Sequence, residues 1–167
     1  MIAEMIEEWD EPILEHLSDV KFRLQIEPIC GFTLEFHFTQ QAKQYFHNEM
    51  LTKFYELQIE PDVNVLFYEG AVIVRSIGCS IDWINSQVNV IDIHQSSFFQ
   101  FFTTTTTDPI EDWKLVKDYQ IGHYIRENLI PKAILYYTGE IFDNDDDDDF
   151  EFSEEEEQQQ EIGEGEH

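Results

Sequence analysis

Residues 20–38 read VKFRLQIEPICGFTLEFHF, and this stretch decides the fold class. Apolar and polar residues alternate from Val20 to Ile26, and they alternate again from Phe32 to Phe38 after a short Pro28–Gly31 segment. A period of two is typical of strands that lay one face on a core and the other in solvent. We therefore predict an antiparallel hairpin that carries eight apolar side chains on one face.

Weaker signals on either side of the hairpin complete the prediction. A short N-terminal helix over Ile2–Trp9 is expected, followed by a second turn that Asp10 caps and that carries Ile13, Leu14 and Leu17 on its apolar side. Further strands are predicted at 51–59, 72–74, 77–83 and 88–93, with a helical connection at 40–49 and a compact aromatic turn at 96–102. Apolar spacing predicts a helix over 110–129 and a last helix from Pro131 that Gly139 ends. Strands first and helices last indicate an α+β fold, an antiparallel sheet with helices on one face.

The charge balance restricts the partners. The chain has nine Lys+Arg against 36 Asp+Glu, a formal charge of −27. Residues 143–167 hold 14 of these acids and no Lys or Arg, which leaves 22 acids and all nine bases, or −13, in residues 1–142. A negative field repels nucleic acid and anionic membranes and attracts basic proteins. We expect no direct nucleic-acid or membrane partner.

Composition also divides the chain. Residues 1–142 are predicted to form one folded domain, and residues 143–167 a disordered acidic tail, because so few apolar groups cannot offset the ordering entropy. Cys30 and Cys79 have no metal-ligand spacing and favour a reducing compartment. The N-terminus is acidic and no apolar run reaches about 18 residues, which predicts a soluble intracellular protein.

Catalytic motifs are missing from the sequence. HExxH, GxSxG and Gly-rich phosphate loops do not occur, and His37, His94 and His123 lack metal spacing; we expect His123 to be a core or interface residue. The prediction is a protein that is not an enzyme and uses no cofactor or metal.

Six sequence blocks carry a family resemblance. They are EMIEEWDEPILEHLSDVKF (4–22), FTLEFHF (32–38), YFHNEMLTKFY (45–55), GCSIDW (78–83), SSFFQFF (96–102) and IGHYIRENLIPKAILYYTGE (121–140), with an acidic run behind the last. In this order they resemble the nucleosome assembly protein family of histone chaperones. The resemblance implies an α+β core whose acidic surface and tail bind core histones, the flanking dimer and secondarily the central tetramer, and assist nucleosome assembly and disassembly in nucleus and cytoplasm. It implies no cofactor and no catalysis.

Two departures from the family pattern stand out. The resemblance leads us to expect that the family's long dimerisation helix is missing before Met1, which makes dimerisation doubtful and suggests a truncated paralogue, an alternative product or a partial gene model. Residues 83–99 also lack the Lys and Arg of the family's basic hairpin, so an import signal or subunit contact made there is in doubt.

The acidic tail is the first candidate histone-binding site. Many weak carboxylate contacts on a mobile segment would compete with DNA phosphates without locking the complex. The candidate residues are Glu140, Asp143, Asp145, Asp146, Asp147, Asp148, Asp149, Phe150, Glu151, Phe152, Glu154, Glu155, Glu156 and Glu157. The alternative is that the run only keeps the protein in solution.

Three tail features have alternatives of their own. Phe150 and Phe152 are candidates to anchor in an apolar pocket of the partner, or else to pack loosely on the domain. Ser153 precedes four glutamates and is a candidate phosphosite, or else a plain spacer. An EF-hand-like register of acids starts at Asp143, but Asp148 occupies the position that needs Gly, which argues against calcium.

Carboxylates of the core form a second candidate set, all expected to be exposed: Glu35, Asp82, Glu111, Asp112, Asp118, Glu127 and Glu140. Two rival functions remain open beside the chaperone. One is an acidic regulatory protein of the same fold, such as a phosphatase inhibitor or import adaptor, with a non-histone partner. The other is a low-affinity divalent-ion buffer.

Overall fold

The computed structural model describes residues 2–58, 71–84, 96–106 and 112–140. The chain divides into two compact units, 1–133 and 134–167, and the sheet lies in the first. The described part of the second unit is residues 134–140, the last turns of a helix and the residues that end it. No helix within the described ranges is long and apolar enough to pass through a bilayer.

The described part of the first unit is built on a five-stranded antiparallel sheet in the order β1-β2-β3-β4-β5. Its strands are β1 (Leu17–Gln25), β2 (Gly31–Phe38), β3 (Met50–Gln58), β4 (Val72–Gly78) and β5 (Thr105–Thr106). Neighbours in sequence are neighbours in space, as is usual for consecutive strands. The structure therefore confirms the α+β class and the β1–β2 hairpin.

The helices lie against one face of the sheet, as predicted. A short helix α1 (Glu11–Leu14) precedes β1, and 3₁₀ turns occupy Ala3–Met5, Gln40–Gln44 and Phe98–Phe102. Helix α2 (Asp112–Tyr124) packs on β4 and β5 and runs through a π-helical turn (Ile125–Leu129) into α3 (Ile130–Thr138). Gly139 ends α3 at φ 71°, a left-handed conformation that glycine adopts without strain, so the predicted C-terminal cap is confirmed.

The 3₁₀ turn Phe98–Phe102, which we call the aromatic turn, packs into the hydrophobic core. All four of its phenylalanines are buried, and Phe36 on β2 contacts three of them edge-on at centroid distances of 5.2–6.0 Å. Edge-to-face pairs of this kind add to the free energy gained by burial alone. The aromatic turn predicted from SSFFQFF is confirmed.

Four local predictions are wrong or incomplete. The N-terminal helix is only the turn Ala3–Met5, because Trp9 and its neighbours hydrogen-bond to residues 96–98 instead of continuing a helix. Asp10 makes no side-chain cap on α1. Leu17, expected on the second turn, begins β1. The strand predicted over 77–83 ends at Gly78, where β3 stops pairing with it; beyond this point Trp83 forms a single bridge to Phe46.

Several predictions fall outside the described ranges. They are the strand at 88–93, the stretch of the family's basic hairpin within 85–95, the first two residues of the helix predicted over 110–129 and the tail 143–167 with the domain boundary before it.

Candidate functional site

The surface of the described residues carries many exposed carboxylates. Ten are exposed: Glu4, Glu8, Glu11, Glu15, Asp19, Glu27, Glu49, Asp82, Glu127 and Glu140. Three of the five core carboxylates whose side chains are described were correctly predicted to be exposed: Asp82, Glu127 and Glu140. Their charge faces solvent, where it acts over roughly a Debye length of about 8–10 Å.

The cations neutralise only part of this surface, because three of their six ion pairs hold carboxylates that are less exposed, Glu35, Glu56 and Asp118. Six of the nine Lys and Arg residues form ion pairs: Lys21–Asp19, Arg23–Glu35, Lys43–Glu49, Lys53–Asp118, Arg75–Glu56 and Arg126–Glu127. The Lys21–Asp19 pair is exposed. The hydrogen bond from Lys21 lowers the pKa of Asp19, so this carboxyl stays ionised at neutral pH.

Residues 4–15, which we call the N-terminal acidic segment, hold the densest acidic surface in the described part of the chain. The segment contains six carboxylates and no Lys or Arg. Glu8, Glu11 and Glu15 are exposed and make no ion pair with any other described residue. Three negative charges within eight residues therefore face solvent without a partner of the opposite sign in the described part of the chain.

Asp10 fixes the N-terminal acidic segment to the core. Its side chain is fully buried, and the carboxylate accepts hydrogen bonds from Ser97 Oγ at 2.6 Å, Phe98 N at 2.7 Å and Glu7 N at 3.1 Å. Trp9 Nε1 donates to the Ser96 carbonyl at 3.1 Å, and Ser96 Oγ donates to Glu7 Oε1 at 2.7 Å. The exposed carboxylates on either side are therefore held on the aromatic turn.

A buried ion pair between β3 and α2 holds the aromatic turn in place. Lys53 Nζ lies 3.0 Å from Asp118 Oδ2 and donates to the carbonyls of Phe101 at 2.7 Å and Thr103 at 2.6 Å. Burial lowers the pKa of Lys53, and the nearby Asp118 opposes this shift. Ser76 Oγ donates to the same carboxylate. This cluster joins β3, β4, α2 and the aromatic turn, and it is structural.

Two sequence predictions are corrected at these ion pairs. Asp118 and Glu35 were expected to be exposed, but Glu35 is buried beside Arg23, at 2.7 Å, and the side chain of Asp118, on α2, is largely buried. Each is matched by a cation that lies across the sheet or on another element. Glu111 and the side chain of Asp112 lie outside the described residues.

Of the candidate histone-binding residues in and before the tail, only Glu140 is described, and its side chain is exposed. Residues 143–157, including Phe150, Phe152 and Ser153, lie outside the described ranges. Sequence reasoning missed Glu8, Glu11 and Glu15 as candidates. The signal was available, because the first 20 residues contain seven acids and no Lys or Arg.

The last feature of the surface is the placement of its histidines and of possible metal ligands. His123 is exposed and contacts the Tyr119 ring at a centroid distance of 5.8 Å, so it does not lie in the core, and its alternative role as an interface residue stays a prediction. His94 is outside the described residues. Among the residues described, no group of three or more His, Cys, Asp or Glu side chains is placed to hold a metal ion.

Comparisons with known proteins agree with one another. The model of the family described as Nucleosome assembly protein (NAP) matches residues 1–93 and 85–140. Nucleosome assembly protein 1-like 4 of Homo sapiens is 36% identical over 175 residues, covering 87% of this chain and 46% of the relative. Nucleosome assembly protein 1-like 1 of Xenopus tropicalis is 37% identical over 173 residues, covering 87% and 44%.

A solved structure gives the same result for the fold. Nucleosome Assembly Protein 1 from Plasmodium knowlesi superposes with a TM-score of 0.63 and 29% identity, covering 83% of this chain and 62% of that one. The chain spans about half the length of the curated relatives it matches. Because the family model matches nearly all of residues 1–140, the chain belongs to the nucleosome assembly protein family.

Proposed function

We propose that this chain is a histone chaperone, which binds basic core histones and assists the assembly and disassembly of nucleosomes. The observation that carries the proposal is that Glu8, Glu11 and Glu15 of the N-terminal acidic segment are exposed and form no ion pair with any other described residue, on a surface fixed by Asp10. Family membership supports it, since the curated relatives carry nucleosome assembly in their names.

The chemistry of this surface suits a basic cargo. Histones bind DNA through many phosphate contacts that release counterions. A carboxylate surface offers the same cations a weaker set of contacts, each worth about 1 kcal/mol or less when exposed. Summed over many groups, such contacts hold a histone yet surrender it when DNA presents more charge.

The proposed binding groups are of two kinds. Glu8, Glu11 and Glu15 form a fixed acidic surface, and the tail carboxylates from Asp143 to Glu157 form a second set beyond Glu140. The cargoes are the flanking histone dimer and, secondarily, the central tetramer. We place the protein in the nucleus and cytoplasm, with chromatin reached through histones rather than through direct DNA contact, and we assign it no cofactor and no catalytic step.

A histone-transfer assay tests the proposal. Core histones mixed directly with DNA at about 0.15 M salt precipitate through non-specific charge contacts. The full chain should suppress this precipitation and allow nucleosomes to form on closed circular DNA, which nuclease protection reveals. Deletion of residues 143–167 should weaken the effect. Histones that precipitate equally with and without the chain would overturn the proposal, and selective binding of a non-histone partner would favour the regulatory alternative.

A further inference from the structure

The outer strand of the sheet carries apolar side chains that the helical layer does not cover. Register places Phe22 and Leu24 of β1 opposite Leu34 and Phe32 of β2, on the core face of the sheet. The two β2 residues are fully buried, whereas Phe22 is 41% and Leu24 65% exposed. The register confirms that the paired apolar residues of the predicted hairpin lie on one face, but not all eight predicted residues are buried. Ile26 lies just beyond β1, outside the register, and is 81% exposed.

Phe22 also lines a groove beside the helical layer, and Leu24 follows it two residues along β1. Residues 17–22 of β1 form one wall, and Leu129, Ile130 and Ala133 form the other, around a volume of about 630 Å³. We call it the β1 groove. All of its lining residues lie in the first compact unit. Apolar side chains left in water favour an occupant by about 25 cal/mol for each Å² they bury.

The local charges of the groove cancel. Asp19 pairs with Lys21 at 3.1 Å on the β1 wall, and Arg126 pairs with Glu127 at 2.6 Å beside the helical wall. The Arg126 guanidinium also lies 4.4 Å from the centre of the Phe32 ring. The groove is thus nearly neutral within a chain of formal charge −27. The charged residues that line the groove, Asp19 and Lys21, are paired with each other, so an occupant with an apolar face would meet no unpaired charge among the lining residues, while cations on its other face would be attracted by the overall negative charge of the protein.

Two other occupants fit less well. Addition of a strand to the edge of β1 that no described strand pairs with is opposed by Lys21 and Arg23 and by the register shift between Leu17 and Asp19, which are features that block edge pairing. A second copy of the chain would bring together two bodies that are each strongly negative. An α-helix needs no edge hydrogen bonds, and a cationic helix gains from the field.

We propose that the β1 groove binds an amphipathic helix of the histone cargo, with the apolar face of that helix in the groove and its Lys and Arg side chains toward the acidic surface. This inference rests on the proposed chaperone function and adds to it a contact that does not depend on salt. Carboxylates attract the cargo, and the groove orients it.

The test uses the full chain and a fluorescently labelled flanking histone dimer, with anisotropy measured at about 0.15 and about 0.5 M salt. Phe22→Ser/Leu24→Ser should weaken binding about tenfold at both salt concentrations, because it removes apolar contact and no charge. The matched control Val72→Ser/Trp113→Ser changes side chains that are 55% and 62% exposed elsewhere, and should stay within about twofold of the unaltered chain.

A second variant guards against misfolding. Ala133→Gln fills the groove from an exposed position and leaves β1 intact, and it should weaken binding in the same way. Groove variants that bind like the control, while the unaltered chain binds histone in a salt-dependent manner, would overturn the groove proposal and leave the chaperone function standing. An unaltered chain that binds no histone would overturn both. Light scattering that shows a dimer dissociated by Phe22→Ser/Leu24→Ser would give the groove to a second copy instead.

Discussion

At the residue scale, Asp10 differs from its acidic neighbours because its carboxylate is buried and hydrogen-bonded inside the protein. The carboxylate satisfies a hydroxyl and two backbone N–H groups, from Ser97, Phe98 and Glu7. Removal of a buried acceptor leaves its donors without partners, which destabilises more than the loss of the bonds themselves. The position of the N-terminal acidic segment therefore depends on this residue.

We predict that Asp10→Ala lowers the free energy of unfolding by about 3 kcal/mol, since several charge-assisted hydrogen bonds are lost together. Urea unfolding followed by tryptophan fluorescence measures the change. Glu8→Ala, two residues away and exposed, serves as the control and should stay within about 0.5 kcal/mol of the unaltered chain. Equal midpoints for the two variants would contradict the anchoring role.

Tyr55 gives the fold a dependence on alkaline pH. Burial, with a smaller effect of Asp118, raises its pKa well above the ordinary value of 10.0, and its hydroxyl donates to the Asp118 carbonyl at 3.0 Å. The unfolded chain loses this proton near pH 10 and the folded chain keeps it. The contribution of Tyr55 to stability is therefore fully present below pH 10, and it is lost as the pH rises above this value. Above pH 10.5, the ordinary value for lysine, Lys53 adds little further change.

Tyr55→Phe should accordingly lower stability by about 1 kcal/mol at pH 7, through the lost hydrogen bond, and flatten the decline above about pH 10.5. Thermal unfolding across this range measures both effects. Tyr137→Phe, at a side chain that is 93% exposed, should leave the slope unchanged. A slope that is as steep in Tyr55→Phe as in the unaltered chain would assign the effect to other groups.

Residue-level burial was the least predictable feature from sequence. Glu35, Asp118 and Asp10 look like surface acids, because their partners are remote in sequence or on other strands: Asp10 bonds across 87 and 88 positions, and Ser76 meets Asp118 across 42. Only the folded chain brings these groups together. Charge counts, by contrast, depend on no contact, and they correctly indicated an acidic surface.

At the element scale, periodicity predicted what local pattern controls. The hairpin, the aromatic turn and the end of α3 at Gly139 follow from alternation, composition and backbone freedom. Apolar spacing also predicted α2, but Trp113 and Val116 are exposed, and the buried side chains are Leu115 and Ile121. Pro131 does not separate two helices. Pro131 has no N–H to donate to the carbonyl of Glu127. The π-helical turn before it lets the helix continue without this hydrogen bond.

Gly122 determines how closely α2 approaches the sheet. A Cβ at this position would collide with the ring and hydroxyl of Tyr55. Gly122→Ala should therefore destabilise the fold by about 1–3 kcal/mol, although alanine favours helix by about 1 kcal/mol over glycine. Gln120→Ala, exposed on the same helix, should be neutral or slightly stabilising. Unfolding midpoints decide, and a stabilised Gly122→Ala would show that α2 is not packed on Tyr55.

At the scale of the whole molecule, the distribution of charge matters more than any single acid. Most cations are held by carboxylates of the same chain, so the excess negative charge belongs to the N-terminal acidic segment, to other exposed acids and to residues 143–167. A partner therefore meets many similar weak sites. Function of this kind is predictable from sequence as a class, because it depends on charge and family, whereas the β1 groove emerges only from the register of the sheet.

The triple variant Glu8→Gln/Glu11→Gln/Glu15→Gln should weaken binding of the flanking histone dimer about three- to tenfold at about 0.1 M salt, from three exposed contacts of well under 1 kcal/mol each. Its stability should be unchanged, because no described residue pairs with these side chains. The charge-conserving triple Glu→Asp variant is the matched control for anisotropy titrations. Loss of affinity in both variants would point to shape rather than charge.

The salt dependence of histone affinity tests whether carboxylates of this chain bind histones in place of DNA phosphates. The dissociation constant for the flanking histone dimer is to be measured from about 0.1 to about 0.4 M salt, with the full chain and with a chain ending at residue 142. If carboxylates stand in for DNA phosphates, affinity should fall at least tenfold over this range, and the shortened chain should bind more weakly with a shallower slope. Affinity that is independent of salt and equal for both chains would contradict the account.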